Sequence, residues 1–394
     1  MSEQRHRAVL HIGAPKCGSS ALQTALSERP NLRGQDGTRY RYTAFVPDLK
    51  GWRVVRGRTV TWSARITPFG YGSWLDPKTA QGDIPFWARF TEEIAGTGGA
   101  VPILSNESWM SRSPVFAPHI SQPLLAVGFL RPPLDWLNAA YWQWAVWGNS
   151  PFERWVRRRP HYTPGQWLSG WADIPGVTLR CSSASPDVMA SFGRKVGIGN
   201  LTSEVQNASS PAALIGFLLR NRRYRPNVHA AAVEFVIQRW CRFTALKKAW
   251  AVPDDVVAEL AIAMERETEI MRHVLPEEDA EEILSTPGWT EIDAAQRPCT
   301  AVDDLDELPK LLDALIEGLA WCRRAIGDTA DARPDTPEGN DDVAIWDATI
   351  ADVVDALISA DLEWRRRRMP LILKAACRLH PQGERFMPRP IQIS

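Results

Sequence analysis

Near the start of the chain, an apolar strand runs into a glycine-containing loop and then into a helix. The loop reads Gly13-Ala14-Pro15-Lys16-Cys17-Gly18-Ser19-Ser20. Such a loop points several backbone N–H groups and a helix N-terminus at one spot, and both favour an anion. Lys16 supplies a positive charge, and the two serines can add hydrogen bonds from their hydroxyls. The loop therefore predicts an anion-binding site.

The position of the lysine narrows the class of anion site. A nucleoside-triphosphate loop of the form GxxxxGK[ST] has its lysine directly after the second glycine. Gly13 and Gly18 have that spacing, but Ser19 follows Gly18, and Lys16 lies inside the loop. The spacing therefore disfavours an ATP or GTP site and the Mg²⁺ dependence that accompanies one.

A second candidate residue follows another apolar run. Leu124–Leu130 is followed by Arg131, and Pro133 can begin a helix. An arginine at the carboxyl end of a strand lies where ligands bind in open α/β sheets, and its guanidinium can bind a phosphate through two hydrogen bonds. The alternative is that Arg131 pairs with a neighbouring carboxylate.

Two further candidates are titratable side chains near strand ends. Glu107 follows the run Ala100–Leu104 and can accept a proton from a hydroxyl group. It can equally cap the next helix or pair with Lys16 or Arg131. His11 ends the first strand, where a buried, hydrogen-bonded histidine is the main expectation and an active-site role the alternative.

The order Pro-Lys-x-Gly-Ser-Ser resembles the 5′-phosphosulfate loop of the superfamily of sulfotransferases that use PAPS (3′-phosphoadenosine 5′-phosphosulfate). The Arg131 turn resembles the family's 3′-phosphate element, whose serine falls on Ala139, next to Asn138. The Ser-x-Glu turn at Glu107 resembles that of bacterial members. The resemblance implies catalytic roles for Lys16 and Glu107, with His11 as a further candidate. The donor-binding residues that it implies are Gly13, Ala14, Pro15, Lys16, Cys17, Gly18, Ser19, Ser20, Arg131, Asn138 and Ala139.

The resemblance covers about residues 7 to 210 and includes a later Gly197-Ile198 and an Asn207-Ala208-Ser209. It implies that PAPS is the co-substrate and PAP the product. The implied acceptor is a small molecule or glycan, with a hydroxyl group of a carbohydrate, lipid or small molecule as the default. Three alternatives stay open: a non-catalytic nucleotide-binding relative, an atypical P-loop kinase, and a scaffold that acts through its second half.

The first half alternates strands and helices. Its predicted strands are Ala8–Ile12, Ala100–Leu104, Leu124–Leu130 and Val177–Cys181, and its predicted helices Ser19–Ser27, Leu134–Trp147 and Pro186–Val196. The first three strands are continuous apolar runs, which are typical of strands buried on both faces of a parallel sheet. We therefore predict a three-layer, P-loop-like α/β/α domain over residues 1–210. Asn31–Gly82 has weak periodicity and is predicted to be irregular surface covering a site.

The second half, residues 211–394, is predicted to be a mainly helical extension packed on this core. Apolar residues recur at helical spacing in Asn227–Trp250, Pro253–Val274, Val302–Ile326 and Asp341–Arg368. Gly327–Asn340 is predicted to be a linker. Arg220–Arg225 is interpreted as a solvated helix end, although its charges can also reach a nucleotide.

The composition excludes several classes of protein. The 394 residues hold 46 Lys plus Arg and 46 Asp plus Glu, which argues against a general nucleic-acid binder. Six cysteines form no CxxC motif, so we predict reduced thiols and no metal site. The N-terminus lacks a signal-peptide pattern and the apolar runs are too short to span a bilayer, so we expect a cytoplasmic protein without stable membrane insertion. The sequence leaves the oligomeric state open. Seven of 18 tryptophans lie between Trp136 and Trp171, either in the core or flooring an acceptor pocket.

Overall fold

A mostly parallel sheet forms the centre of the protein. The computed structural model describes residues 6–48, 51–78, 85–96, 98–157, 162–199, 201, 209–329, 337, 342–369, 371, 374, 387–391 and 393. Across these residues, seven strands form one sheet in the order β2-β3-β5-β1-β6-β7, with β4 paired to β3. The strands are β1 Ala8–His11, β2 Asn31–Arg33, β3 Arg39–Asp48, β4 Gly51–Arg56, β5 Val101–Ser105, β6 Leu124–Leu130 and β7 Val177–Ser183.

The parallel part of the sheet consists of β3, β5, β1, β6 and β7. Every residue of β1 and of β6 is buried, as the continuous apolar runs predicted. β1 lies between β5 and β6, so the turns that leave these three strands meet at one edge of the sheet. Ligands bind at this edge in open α/β sheets.

Helices cover both faces of the sheet. They are α1 Ser19–Glu28, α2 Arg58–Ile66, α3 Phe86–Ile94, α4 Ser113–Phe116, α5 Pro133–Ala140, α6 Phe152–Val156, α7 Pro164–Ala172, α8 Val188–Val196, α9 Ala212–Arg220, α10 Ala232–Trp240, α11 Asp254–Val274, α12 Glu277–Leu284, α13 Leu308–Ala325 and α14 Val343–Arg368. Consecutive residues of β6 point to opposite faces. On one face, the rings of Phe129 and of Phe192 in α8 both lie next to the ring of His11. On the other face, a side chain at Gly128 would meet Met110, whose carbonyl accepts a hydrogen bond from α7. This arrangement fits the predicted three-layer α/β/α fold.

The hydrophobic interior has two large clusters. The first surrounds the sheet and also takes in Trp250 to Ile292, because α11 packs on α7 and α12 on β7. The second consists of α9, α10, α13 and α14 with Val146 and Trp147. The packing therefore assigns part of the predicted helical extension to the core of the sheet. Among the described residues, no helix is both long enough and apolar enough to span a bilayer.

Several predicted elements differ from those observed. The prediction of irregular structure over Asn31–Gly82 is wrong, because this segment contributes β2, β3, β4 and α2. The polar face of β3, which carries Arg39 and Arg41, hid the strand pattern. The single helix predicted over Asn227–Trp250 contains only α10, and the prediction missed α9 and α12. Most of Gly327–Asn340 lies outside the described residues, as do Asn207 and Ala208.

Candidate functional site

The loop between β1 and α1 exposes backbone N–H groups at the carboxyl edge of the sheet. Lys16 and Gly18 adopt left-handed conformations, with φ of 66° and 87°. The loop closes through a hydrogen bond from Cys17 N to Ala14 O of 3.3 Å. No side chain among the described residues caps the N-terminus of α1 at Gly18. The first N–H groups of this helix therefore point outward without an intrahelical partner, which is the arrangement of an anion site.

Close packing fixes the position of the loop. A side chain at Gly13 would lie 2.7 Å from Ser19 Oγ and 3.0 Å from Glu107 Cα, so only glycine lets the loop lie against the turn after β5. The indole Nε1 of Trp136 donates a hydrogen bond to the carbonyl of Pro15 at 2.9 Å. The Trp136 ring stacks on Tyr162 at a centroid distance of 4.5 Å. A core tryptophan thus holds the loop from behind.

Lys16 is surrounded by charges and is partly buried. Its Nζ donates a hydrogen bond to Gln143 Oε1 at 3.0 Å. Burial lowers the pKa of Lys16 to about 8; the Glu107 charge raises this pKa, whereas the charges of Arg131 and Arg225 lower it. Burial therefore destabilises the charged form of Lys16, and a bound anion would stabilise it.

Arg131 lies at the end of β6, and its backbone is held in place by Tyr162. The Arg131 N–H donates to the Tyr162 hydroxyl at 3.3 Å, and this hydroxyl donates to the Arg131 carbonyl at 3.0 Å. Arg131 lines the same cavity as Lys16. The sequence predicted both cations at this edge, and the structure brings them together.

Glu107 lies in the turn after β5 and also lines the cavity. The side chain of Asn106 fixes this turn, since its Nδ2 donates to the carbonyl of Trp74 at 2.5 Å and its Oδ1 accepts from the N–H of Ser108 at 2.8 Å. Glu107 keeps an exposed surface, but the many protein atoms around its carboxyl partly exclude water from it. Burial raises the pKa of Glu107, and the neighbouring Lys16 charge opposes that rise. A carboxylate with a raised pKa is suited to accept a proton.

The cavity lies between the two halves of the chain. Lys16, Glu107 and Arg131 line it from the α/β side, and Glu234, Phe235 and Gln238 line it from the second half. Gly18, Ser19, Ser20, Asn138 and Ala139, which the resemblance implies as donor-binding residues, also line it. The side chains therefore converge from segments that are far apart in the sequence.

The side chains of Cys17 and Asn138, two other predicted site residues, are occupied by contacts within the protein. Cys17 is fully buried, and burial raises the pKa of its thiol to about 12, so it faces the core beside Tyr162. The side chain of Asn138 is engaged by backbone and by indole: it donates to Ala249 O at 2.9 Å and accepts from Ala251 N at 2.9 Å and Trp142 Nε1 at 3.0 Å. Asn138 therefore joins α5 to the second half. Gly13, Ala14 and Pro15 can contribute only through the loop backbone.

The catalytic role considered for His11 does not fit its position. His11 is fully buried, with Nδ1 at 2.7 Å from Ser105 Oγ and its ring next to Phe129 and Phe192. Burial lowers its pKa to about 3, so the imidazole is neutral at physiological pH. The side chain points to the face of the sheet covered by α1 and α8, because strand geometry, and not closeness to the loop in sequence, sets its direction.

Replacing His11 with Gln is expected to flatten the acid dependence of stability. The pKa of His11 in the folded state is below that of an unfolded histidine, so its contribution is fully present above pH 6.5 and is lost as the pH falls towards 3. Between pH 7 and pH 5 this loss amounts to about 2 kcal/mol of the free energy of unfolding. Urea unfolding of wild type and variant at both pH values measures it. Equal changes in the two proteins would contradict the assignment of a neutral core histidine.

Several residues at the site were not predicted from the sequence. Gln143 contacts Lys16, and the Tyr71 hydroxyl bonds to Ser20 and lies near the Glu107 charge. The interpretation of Arg220–Arg225 as a solvated helix end is wrong for Arg225, which is 1% exposed. Of the tryptophans between Trp136 and Trp171, Trp142 lines the cavity. No local motif marks these residues, because each reaches the site through tertiary packing.

No family model, no curated protein and no solved structure matches this chain. The structural features that bear on function are the loop with Lys16, the nearby Glu107 and Arg131, and the cavity that these residues share.

Proposed function

We propose that this protein is a sulfotransferase that moves a sulfuryl group from PAPS to a hydroxyl group of an acceptor. One observation carries the proposal: a lysine offered from within an anion-binding loop shares a cavity with an arginine and a carboxylate, each at the end of a neighbouring strand. A triphosphate site would instead place its lysine after the second glycine of the loop.

The ends of the donor are assigned to different residues. The loop backbone and the hydroxyls of Ser19 and Ser20 would bind the 5′-phosphosulfate, and Arg131 would bind the 3′-phosphate. Ser19 Oγ supports this assignment, because it is buried and has no hydrogen-bond partner within the described structure. Ala139 offers no hydroxyl, so the 3′-phosphate would depend on the Arg131 guanidinium more heavily than the resemblance implies.

The transfer step needs a cation on one side of the sulfur and a base on the other. The bond between sulfur and the 5′-phosphate oxygen breaks while a bond forms between sulfur and the acceptor oxygen. Lys16 would neutralise the charge that develops on the leaving phosphate oxygen. Glu107 would take the proton of the acceptor hydroxyl, so that the products are PAP and a sulfate ester.

The size of the cavity fits one end of such a donor. Its volume is about 150 Å³, whereas pockets for whole ligands of this size typically have about 300–1,000 Å³. The enclosed part would therefore take the phosphosulfate next to Lys16. The adenosine would extend into the open mouth between the two halves.

The binding half of the proposal is tested by thermal unfolding with PAP, with ATP plus Mg²⁺ and with NAD. A ligand that binds only the folded protein stabilises it by about 2.7 kcal/mol at one hundred times its Kd. We expect a rise in Tm with PAP alone, and a smaller rise in Arg131→Met. A rise with ATP plus Mg²⁺ but not with PAP would favour the kinase alternative and overturn the proposal.

The transfer half is tested with PAPS that carries ³⁵S in its sulfuryl group and a panel of hydroxyl acceptors. Labelled sulfate ester that forms in wild type and not in Lys16→Ala supports the proposal. Tight binding of PAP without transfer to any acceptor, together with no hydrolysis of PAPS, would instead identify a non-catalytic nucleotide-binding protein.

Replacing Trp136 with Phe is expected to weaken PAP binding by about two- to thirteenfold, the effect of losing one hydrogen bond of about 0.5–1.5 kcal/mol. The bond lost is the one from Trp136 Nε1 to Pro15 O, which holds the loop. Trp171→Phe is the matched control, because Trp171 Nε1 donates a buried hydrogen bond of 2.9 Å to Met110 O, which is not part of the loop. Isothermal titration measures both. Equal losses of affinity would show that the effect is not specific to the loop.

A further inference from the structure

Arg225 is a buried residue that links two residues of the cavity wall. It is 1% exposed and comes from the second half of the chain. Its Nη2 donates a hydrogen bond to the backbone carbonyl of Gln143 at 3.0 Å, and its Nη1 forms an ion pair with Glu234. The guanidinium lies over the Trp147 ring, 4.1 Å from the centroid. Gln143 and Glu234 both line the cavity.

The segment that Arg225 holds is an unusual turn of helix. Tyr141–Ala145 continues α5 as a π-helical turn. Such single turns are rare and occur frequently at functional sites. Gln143 lies in the middle of it, and its side-chain oxygen accepts the hydrogen bond from Lys16 Nζ at 3.0 Å. One residue thus takes a bond from Arg225 on its backbone and a bond from Lys16 on its side chain.

The other partner of Arg225 is itself anchored. Glu234 lies on α10 and accepts a hydrogen bond from the hydroxyl of Ser210. Gln238, one turn further along α10, donates to the same hydroxyl at 3.1 Å. A small polar network of the second half therefore fixes Nη1 of the guanidinium, and Nη2 is left to bind the carbonyl of Gln143.

We propose that Arg225 is a positioning residue for Lys16. Its hydrogen bond to the backbone of Gln143 fixes the π-helical turn, and the side chain of Gln143 in turn binds the Lys16 ammonium group. The inference rests on the role of Lys16 in the proposed function and adds that the second half of the chain completes the site. A residue 82 positions after Gln143 thereby sets the place of a lysine 127 positions before Gln143.

The energetics favour a functional reason for this arrangement. Arg225 Nε is buried without a hydrogen-bond partner in the described structure, and burial lowers the pKa of Arg225 to about 9. Its charge also lowers the pKa of Lys16. A buried ion pair contributes little net stability, and a second cation near Lys16 opposes the first. What the arginine adds is two fixed hydrogen-bond directions, which a single ammonium group does not offer.

The test measures how the chemical reactivity of the Lys16 amine depends on pH, and it needs no nucleotide. Wild type, Arg225→Met, Gln143→Leu and the double variant are labelled with acetic anhydride across pH 6–10. Mass spectrometry of the Lys16 peptide gives the pH midpoint of its reactivity. Losing the Arg225 charge raises the midpoint in either background, whereas losing the position of Gln143 lowers it only where Gln143 is present. We therefore compare the shift of the midpoint that Arg225→Met causes in two backgrounds. In the Gln143→Leu background this shift should be more positive than in the wild-type background by about 0.5 pH unit or more.

Arg222 supplies the matched control. It lies 5.6 Å from the centroid of the same Trp147 ring, but it donates to Trp147 O and to Asn149. Arg222→Met should show no coupling with Gln143→Leu. Equal effects of Arg225→Met in both backgrounds, or coupling of the same size for Arg222, would overturn the positioning role.

Folding and the proposed function are controlled separately. If Arg225→Met alone does not fold, the cycle is run with Arg225→Met/Glu234→Gln, which removes both buried charges together. Failure of wild type to bind PAP would refute the sulfotransferase proposal but would leave the midpoints, and so the positioning role, measurable.

Discussion

Replacing Lys16 with Ala is expected to lower the rate of sulfuryl transfer by about two to three orders of magnitude while leaving the protein folded. The ammonium group is the one charge that the loop itself supplies, and Glu107, Arg131 and Arg225 surround it. Its lowered pKa shows that burying it costs free energy. The free energy of unfolding of Lys16→Ala should therefore equal or exceed that of wild type, so that activity and stability change in different directions.

The pH dependence of the transfer rate tests the role of the Lys16 charge independently. Since burial lowers the pKa of Lys16 to about 8, its positive charge is present below that pH and is lost above it. The value of kcat/KM for PAPS should therefore fall as the pH rises through about 8. Lys16→Arg keeps its charge at higher pH, so any activity that it retains should lack this alkaline fall.

Lys247→Ala is the control for the general loss of a lysine, because Lys247 is exposed and paired with Asp304. Its transfer rate should match that of wild type. Near-normal turnover of Lys16→Ala, measured with labelled PAPS, would refute the assignment of Lys16. A large loss of stability in that variant would show instead that the lysine has a structural role.

The site residues that the sequence placed at this edge of the sheet share one physical property. Lys16, Glu107 and Arg131 each follow an apolar run buried in a parallel strand, and parallel strands end at the same edge of a sheet. Continuous apolar runs are local patterns, so the strands could be recognised, and topology then brings their turns together. His11 shows the limit of this reasoning: it is two residues from Gly13, yet its side chain points into the core.

The residues that the sequence did not predict reach the site from other parts of the fold. Gln143 depends on the switch of α5 into a π-helical turn, which no composition pattern announces. Arg225 and Glu234 depend on how the helices after residue 210 pack against that turn. An arginine-rich stretch is usually a solvated helix end, and only the tertiary structure shows that one of its members is buried. Local pattern therefore specified the α/β side of the cavity and not the side built by the second half.

Replacing Glu107 with Gln is expected to lower kcat by about two to four orders of magnitude, the usual effect of removing a general base. Affinity for PAP should not fall at pH 7, because the change removes a negative charge from beside the donor. Binding and catalysis would thus separate, unlike in Lys16→Ala, where both are expected to suffer. Isothermal titration with PAP and single-turnover transfer from labelled PAPS measure the two quantities.

The pH profile decides between a base and a purely electrostatic role for Glu107. Burial raises its pKa, so a base at this position should give wild type an acid limb above the ordinary range of a glutamate. That limb should be absent from the residual activity of Glu107→Gln. Glu92→Gln, at an exposed carboxylate paired with Arg89, is the control and should behave as wild type. If Glu107→Gln kept its kcat while PAP bound more weakly, Glu107 would be a partner that orders Lys16, and the acceptor proton would have to leave by another route.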